Sequence, residues 1–106
     1  MLYNGDDKRR AIALIEYTVV EGKVKGDVTL YALSTCGWCQ RTKKLLNSLG
    51  VKYRYLDVDK LEEKESKEAS KLISKWNPDE SFPTMVIDDS SCILGFNEEK
   101  IRAKLE

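Results

Sequence analysis

The segment from Asp27 to Gly50 constrains the fold more than any other stretch of this chain. Asp27-Val28-Thr29-Leu30-Tyr31-Ala32-Leu33 is rich in β-branched, aliphatic and aromatic residues and predicts a strand. Cys39, Thr42, Leu45, Leu46 and Leu49 recur at helical spacing, and Gly50 stands where a left-handed residue ends a helix. Between the two patterns sits Cys36-Gly37-Trp38-Cys39. A helical rise of about 1.5 Å and 3.6 residues per turn puts two such thiols roughly 5 Å apart at their Cα atoms. That lies inside the disulfide range of about 4.4–6.8 Å, so the pair opens and closes with little backbone movement.

At 106 residues the chain is long enough for one domain with a single core. Lys plus Arg equals Asp plus Glu at 18 each, so no overall field draws it to nucleic acid or to an acidic membrane. No stretch is apolar for long enough to span a bilayer, and the charged residues 1–10 lead into no secretory pattern. A reducing cytoplasm is the expected location, where a CxxC pair is catalytic or metal-binding rather than a structural staple. There is no histidine, so the commonest general base and the commonest zinc ligand are both missing.

Residues 1–26 read as an N-terminal extension, with an extra strand over Ala11 to Val20, and residues 27–106 as the main domain. After the strand at 28–33 and the helix at 37–49, a strand is predicted over Lys52 to Asp57. Asp59 and Glu62 have capping-box spacing and would open a helix running to about Trp76. Its inward stripe is Leu61, Ala69, Leu72, Ile73 and Trp76, and Asn77-Pro78 stops it. Thr84 to Ile87 and Cys92 to Leu94 form a hairpin around Asp88-Asp89-Ser90-Ser91. Asn97 then caps a last helix, with Glu98 and Glu99 in its favourable first turn and Ile101 and Leu105 inward. The order β-α-β-α-β-β-α implies a right-handed parallel βαβ unit followed by an antiparallel hairpin, an α/β sheet covered on both faces. Cys36 falls at the strand-to-helix turn, where α/β proteins place their sites.

Cys36 is the outer thiol and Cys39 the inward one. Helix N-terminal placement brings a thiol pKa down to within about 3.5–7.5, aided by unpaired N–H groups and by Arg41, Lys43 and Lys44 along the same helix. Cys36 would attack a disulfide and Cys39 would resolve the mixed disulfide. A zinc half-site is the bland alternative, but Cys92 is the only other cysteine. Cys92 itself reads as a core residue of its strand. Trp38 is either packing or an exposed ring facing substrate. Ser81-Phe82-Pro83 precedes a strand, where a proline is tolerated because it donates nothing to the ladder, and the Phe-Pro bond is of the kind that can be cis.

Cys36-Gly37-Trp38-Cys39 after a strand, Phe82-Pro83-Thr84 before a hairpin, and Gly95-Phe96-Asn97 at the last helix together resemble the glutaredoxin family of the thioredoxin fold, over residues 27–105. The resemblance implies a four-stranded mixed sheet in the order second-first-third-fourth, counted from the strand at 28–33, flanked by three helices. It also implies a cis-proline at Pro83, a Phe82 backbone that pairs with a bound thiol peptide, and a groove of Trp38, Phe82, Pro83, Phe96 and Asn97. The implied activity is dithiol–disulfide oxidoreduction by a monomer without a tightly bound cofactor or metal, acting on disulfide-containing proteins or small mixed disulfides.

Two departures bear on partners. Leu33 stands where many family members carry a basic residue that helps to hold a glutathione carboxylate. The Gly95-Phe96 pair looks like that of glutaredoxin-like redoxins that are reset by a protein reductase and serve ribonucleotide reductase. The reductant is thus glutathione, another thiol, or a disulfide reductase. Gly37 replaces a common proline, and relatives with a small residue there hold a bridging [2Fe–2S] cluster, so a cluster carrier is the alternative.

Overall fold

The structure, a computed structural model, describes residues 15–106. Its central strand explains the rest. In β2 (Val28–Ala32) all five residues are buried, the pattern of a strand covered on both faces. Alternation divides them: Val28, Leu30 and Ala32 enter one core, Tyr31 the other. The further elements are β1 (Thr18–Val20), α1 (Gly37–Leu49), β3 (Tyr53–Asp57), a 3-10 turn (Val58–Lys60), α2 (Glu63–Ser74), β4 (Thr84–Ile87), β5 (Ser91–Leu94) and α3 (Glu98–Leu105). They form a five-stranded sheet in the order β1-β3-β2-β4-β5. β2 runs parallel to β3 and antiparallel to β4, as the βαβ-then-hairpin order requires.

Without β1 the order is the expected one, with three helices. On one face, Cys39, Leu45 and Leu46 of α1 and Ile101 and Leu105 of α3 pack on Val28, Leu30, Tyr53, Met85 and Ile93. On the other, Ala69 and Ile73 of α2 pack on Tyr31, Leu56 and Val86, joined by Ile15. The fold is thus a thioredoxin-like α/β sandwich.

Local details depart from the sequence-based expectations. The extra strand is three residues long and pairs antiparallel with β3; residues 11–14 of the expected strand lie outside the described part. Asp59 does not cap α2. Glu62 occupies the N-cap, its backbone N–H donating to the Glu65 side chain at 3.2 Å, while Asp59 sits in the preceding 3-10 turn. α2 ends at Ser74, short of Trp76. Cys92 is not a core residue. Its neighbour Ile93 takes the buried face of the edge strand, so Cys92 points to the α2 side, half-buried, near the Trp76 carbonyl at 3.8 Å.

Asn77, read as a helix stop, does more. Its buried side-chain amide donates to Ser81 O (3.1 Å), Ser81 Oγ (2.9 Å) and Thr84 Oγ1 (3.0 Å), pinning the loop that carries Phe82-Pro83 to the start of β4. Removing a buried donor strands its acceptors at a cost of about 1–3 kcal/mol. Asn77→Ala should therefore lower the free energy of unfolding by that amount, seen as a lower urea midpoint at an unchanged m-value in equilibrium unfolding of the reduced protein.

Candidate active site

β2 ends in a tight turn, with the Cys36 N–H donating to Leu33 O at 3.1 Å. Cys36 is then the N-cap of α1, with extended φ and ψ of −84° and 119°. It lies one residue before the helix, not within its first turn. Its Sγ accepts from the Cys39 N–H at 3.2 Å, so the thiol takes the place that a serine or aspartate oxygen fills in ordinary caps. Gly50 ends the same helix in the left-handed region at φ 69°.

The two thiols differ sharply in environment. Cys36 is half-buried, whereas Cys39 is fully buried in the core between α1 and the sheet. Burial pushes the Cys39 thiol up to about 12, and its hydrogen bond with Cys36 adds to the rise. Cys39 therefore keeps its proton at neutral pH. The expected basic stripe is mostly spent elsewhere: Lys43 Nζ lies 3.0 Å from Asp57 Oδ1 and 4.0 Å from the Tyr55 ring centre. Arg41 stacks at 5.3 Å over the Trp38 ring.

Trp38 proves to be the exposed alternative, at 57% accessibility. It stacks on Phe96 with ring centres 5.7 Å apart and planes 24° from parallel. Trp38, Phe82, Pro83, Gly95 and Phe96 line a cavity of about 270 Å³. The Phe82-Pro83 bond is cis, and Pro83 O accepts from the Gly95 N–H at 2.8 Å, which ties the two sides of the cavity together. Among the described residues, the Phe82 N–H and C=O enter no hydrogen bond. Asn97 does not line this cavity; its side-chain oxygen accepts from the Lys100 N–H at 3.0 Å and caps α3. Larger hollows of about 490 and 300 Å³, around Val24 and Tyr53 and around Thr29 and Trp76, contain no thiol.

A glutaredoxin family model matches residues 28–92, a stretch that holds both thiols and the Phe82-Pro83 turn. The chain belongs to the glutaredoxin family. Members of this family are thiol–disulfide oxidoreductases, and so is this one. The glutaredoxin from Methanosarcina mazei Go1 is 48% identical, with a TM-score of 0.79 over 84% of this chain and 86% of that one. Methanoredoxin of Methanosarcina acetivorans is 49% identical, with a TM-score of 0.77 over 79% of this chain and 88% of that one. Glutaredoxin-C1 of Arabidopsis thaliana is 31% identical over 77 residues, which span 68% of this chain and 60% of that protein's length.

A cluster bridging two protomers would draw on one thiolate, Cys36, from each of them. Cys39 is fully buried, leaving Cys36 as the accessible thiol of the motif, and no group of three metal-ligating side chains exists among the described residues. No helix among them is long and apolar enough to cross a membrane.

The protonated Cys39 thiol makes the stability of the reduced protein depend on pH. An unfolded cysteine ionises near pH 8.5, whereas the folded one holds its proton until about pH 12, so the unfolded state binds fewer protons across that window. Tyr53, also pushed up by burial to about 12, adds to the effect above its unfolded value of about 10. Stability of the reduced protein should fall as pH rises from about 8.5. Urea midpoints at pH 8 and 10, under a strong reductant, should show the loss, and Cys39→Ala should show a shallower one.

Proposed function

We propose that Cys36 is the nucleophile and Cys39 the resolving thiol of a dithiol mechanism. The observation that carries this is the asymmetry of the pair: a half-exposed sulfur at a helix N-cap, hydrogen-bonded by the amide of its fully buried partner. Cys36, as thiolate, attacks one sulfur of the substrate disulfide; that S–S bond breaks and the first thiolate leaves with its electron pair. The Cys39 sulfur then attacks Cys36 Sγ, its proton passing to solvent or to the departing thiolate, and the second substrate thiol is released. The substrate gains two electrons and the protein is left with a Cys36–Cys39 disulfide.

Trp38, Phe82, Pro83 and Phe96 form the substrate groove, and Asn97, next in sequence to Phe96, caps α3 beside it. The uncommitted Phe82 N–H and C=O offer strand-like pairing to an extended thiol peptide. Substrates are disulfide-containing proteins, ribonucleotide reductase among them, or small mixed disulfides; the reset comes from glutathione, another thiol or a disulfide reductase. A pair that works as a reductant belongs in a reducing compartment, here the cytoplasm. The cluster-carrier alternative has only Gly37 in its favour, and there an added Cβ would meet nothing within 4 Å, so no crowding calls for the glycine.

Cys36→Ser should abolish disulfide reduction in a turnover assay. Cys39→Ser should still react once and then accumulate the mixed disulfide, visible as the added mass of one substrate thiol. Full turnover by Cys36→Ser would sink the assignment. Supplying glutathione with its reductase, or a flavin-dependent disulfide reductase, in separate assays should show which one restores the dithiol.

A further inference from the structure

Ser34 lies in the turn that delivers Cys36, and all three of its polar groups are held by side chains. Its N–H donates to Asp59 Oδ1 at 2.8 Å, and its hydroxyl donates to the other oxygen of the same carboxylate. Its carbonyl accepts from Gln40 Nε2 at 2.9 Å. Asp59 comes from the 3-10 turn after β3 and Gln40 from the start of α1, so two elements grip one residue of the connecting loop.

Ser34, Gln40 and Asp59 lie outside both halves of the core. Asp59 is surface-exposed and does not cap α2, which Glu62 does instead. An exposed hydrogen bond ordinarily contributes little because water competes for both partners. A carboxylate that accepts two bonds from one residue is stronger and also fixes orientation. The two Ser34 donors hold the Asp59 carboxyl below the usual carboxylate range, so the grip persists through neutral pH. The gripped turn is closed by the bond from the Cys36 N–H to Leu33 O, and the next hydrogen bond along the chain is the one onto Cys36 Sγ.

We propose that Asp59 is a positioning residue for the nucleophile: by clamping Ser34 it fixes the Leu33–Cys36 turn and keeps Cys36 Sγ on the Cys39 N–H. The proposal rests on Cys36 being the nucleophile. Without the clamp the turn samples orientations that carry the sulfur away from the amide and from the groove. A misplacement of about 1 Å can cost a reaction up to about 10²-fold.

The test is the single-turnover reaction of Cys36 with dithiobis(nitrobenzoate), an aromatic disulfide, in a Cys39→Ser background. Attack breaks the probe's S–S bond, leaves one half on Cys36 and releases the other as a coloured thiolate; peptide mapping assigns the label to Cys36. Rates are compared at a temperature where thermal melts show every variant folded. Asp59→Ala should slow labelling on the order of 10-fold, and Asp59→Asn, which keeps an acceptor for the Ser34 N–H, should recover part of it. Ser34→Ala should slow it too, and should add little once Asp59 is alanine. If Asp59→Ala fails to fold, Ser34→Ala and Asp59→Asn carry the same test. An unchanged rate with a lowered melting temperature would make the clamp merely structural. A faster rate would show Asp59 acting on the sulfur by its charge, and either result overturns the proposal. A parent whose Cys36 takes no label overturns the nucleophile assignment instead.

Discussion

Complete burial of β2 is the constraint on which the remaining structure hangs. A strand with no exposed residue must have sheet neighbours on both edges and helices on both faces. β3 and β4 supply the edges. α1 and α3 cover the Leu30 face, and α2 covers the Tyr31 face. Because the parallel crossover to β3 has to leave from the end of β2, the turn after Ala32 falls at the rim of the sheet. That turn is where the thiols stand.

The chemistry follows from the same geometry. A helix that starts at the sheet rim and packs inward must point its i+3 side chain into the core while its N-cap faces solvent. Cys39 and Cys36 take those two places. Burial holds the proton on Cys39, and the Cys39 amide donates to the sulfur of Cys36. One hydrogen bond thus links the outer thiol to the backbone of the inner one. The groove beside them is assembled from two distant pieces of chain. Phe82-Pro83 is anchored by Asn77, and Phe96 meets Trp38 by ring stacking across the opening.

Much of this was legible before any coordinates. The strand, the CxxC, the helix and its Gly50 stop are local patterns, governed by side-chain periodicity and by terminal capping. α1 and β4 fall on their expected bounds. The sheet order followed from the βαβ-then-hairpin rule together with the family resemblance. Where the structure differs from the sequence pattern, the tertiary setting decides. Asp59 has N-cap chemistry and capping-box spacing, yet Ser34, 25 residues away, takes its carboxylate. Cys92 sits in an apolar run, but on an edge strand only one of two faces meets the core, and Ile93 takes it. Asn97 caps the last helix as its residue type predicts.

The sequence alone determined the redox motif, the alternation of strands and helices, and the family. These depend on residues adjacent in the chain, whose spacing sets which face they share. Tertiary structure decided which thiol is reachable and which is sealed, whether Trp38 packs or projects, and where Lys43 spends its charge. It also decided that Ser34 is gripped from two sides. Those outcomes depend on burial and on contacts between residues far apart in the chain. Periodicity carries no information about them until the sheet brings those residues together.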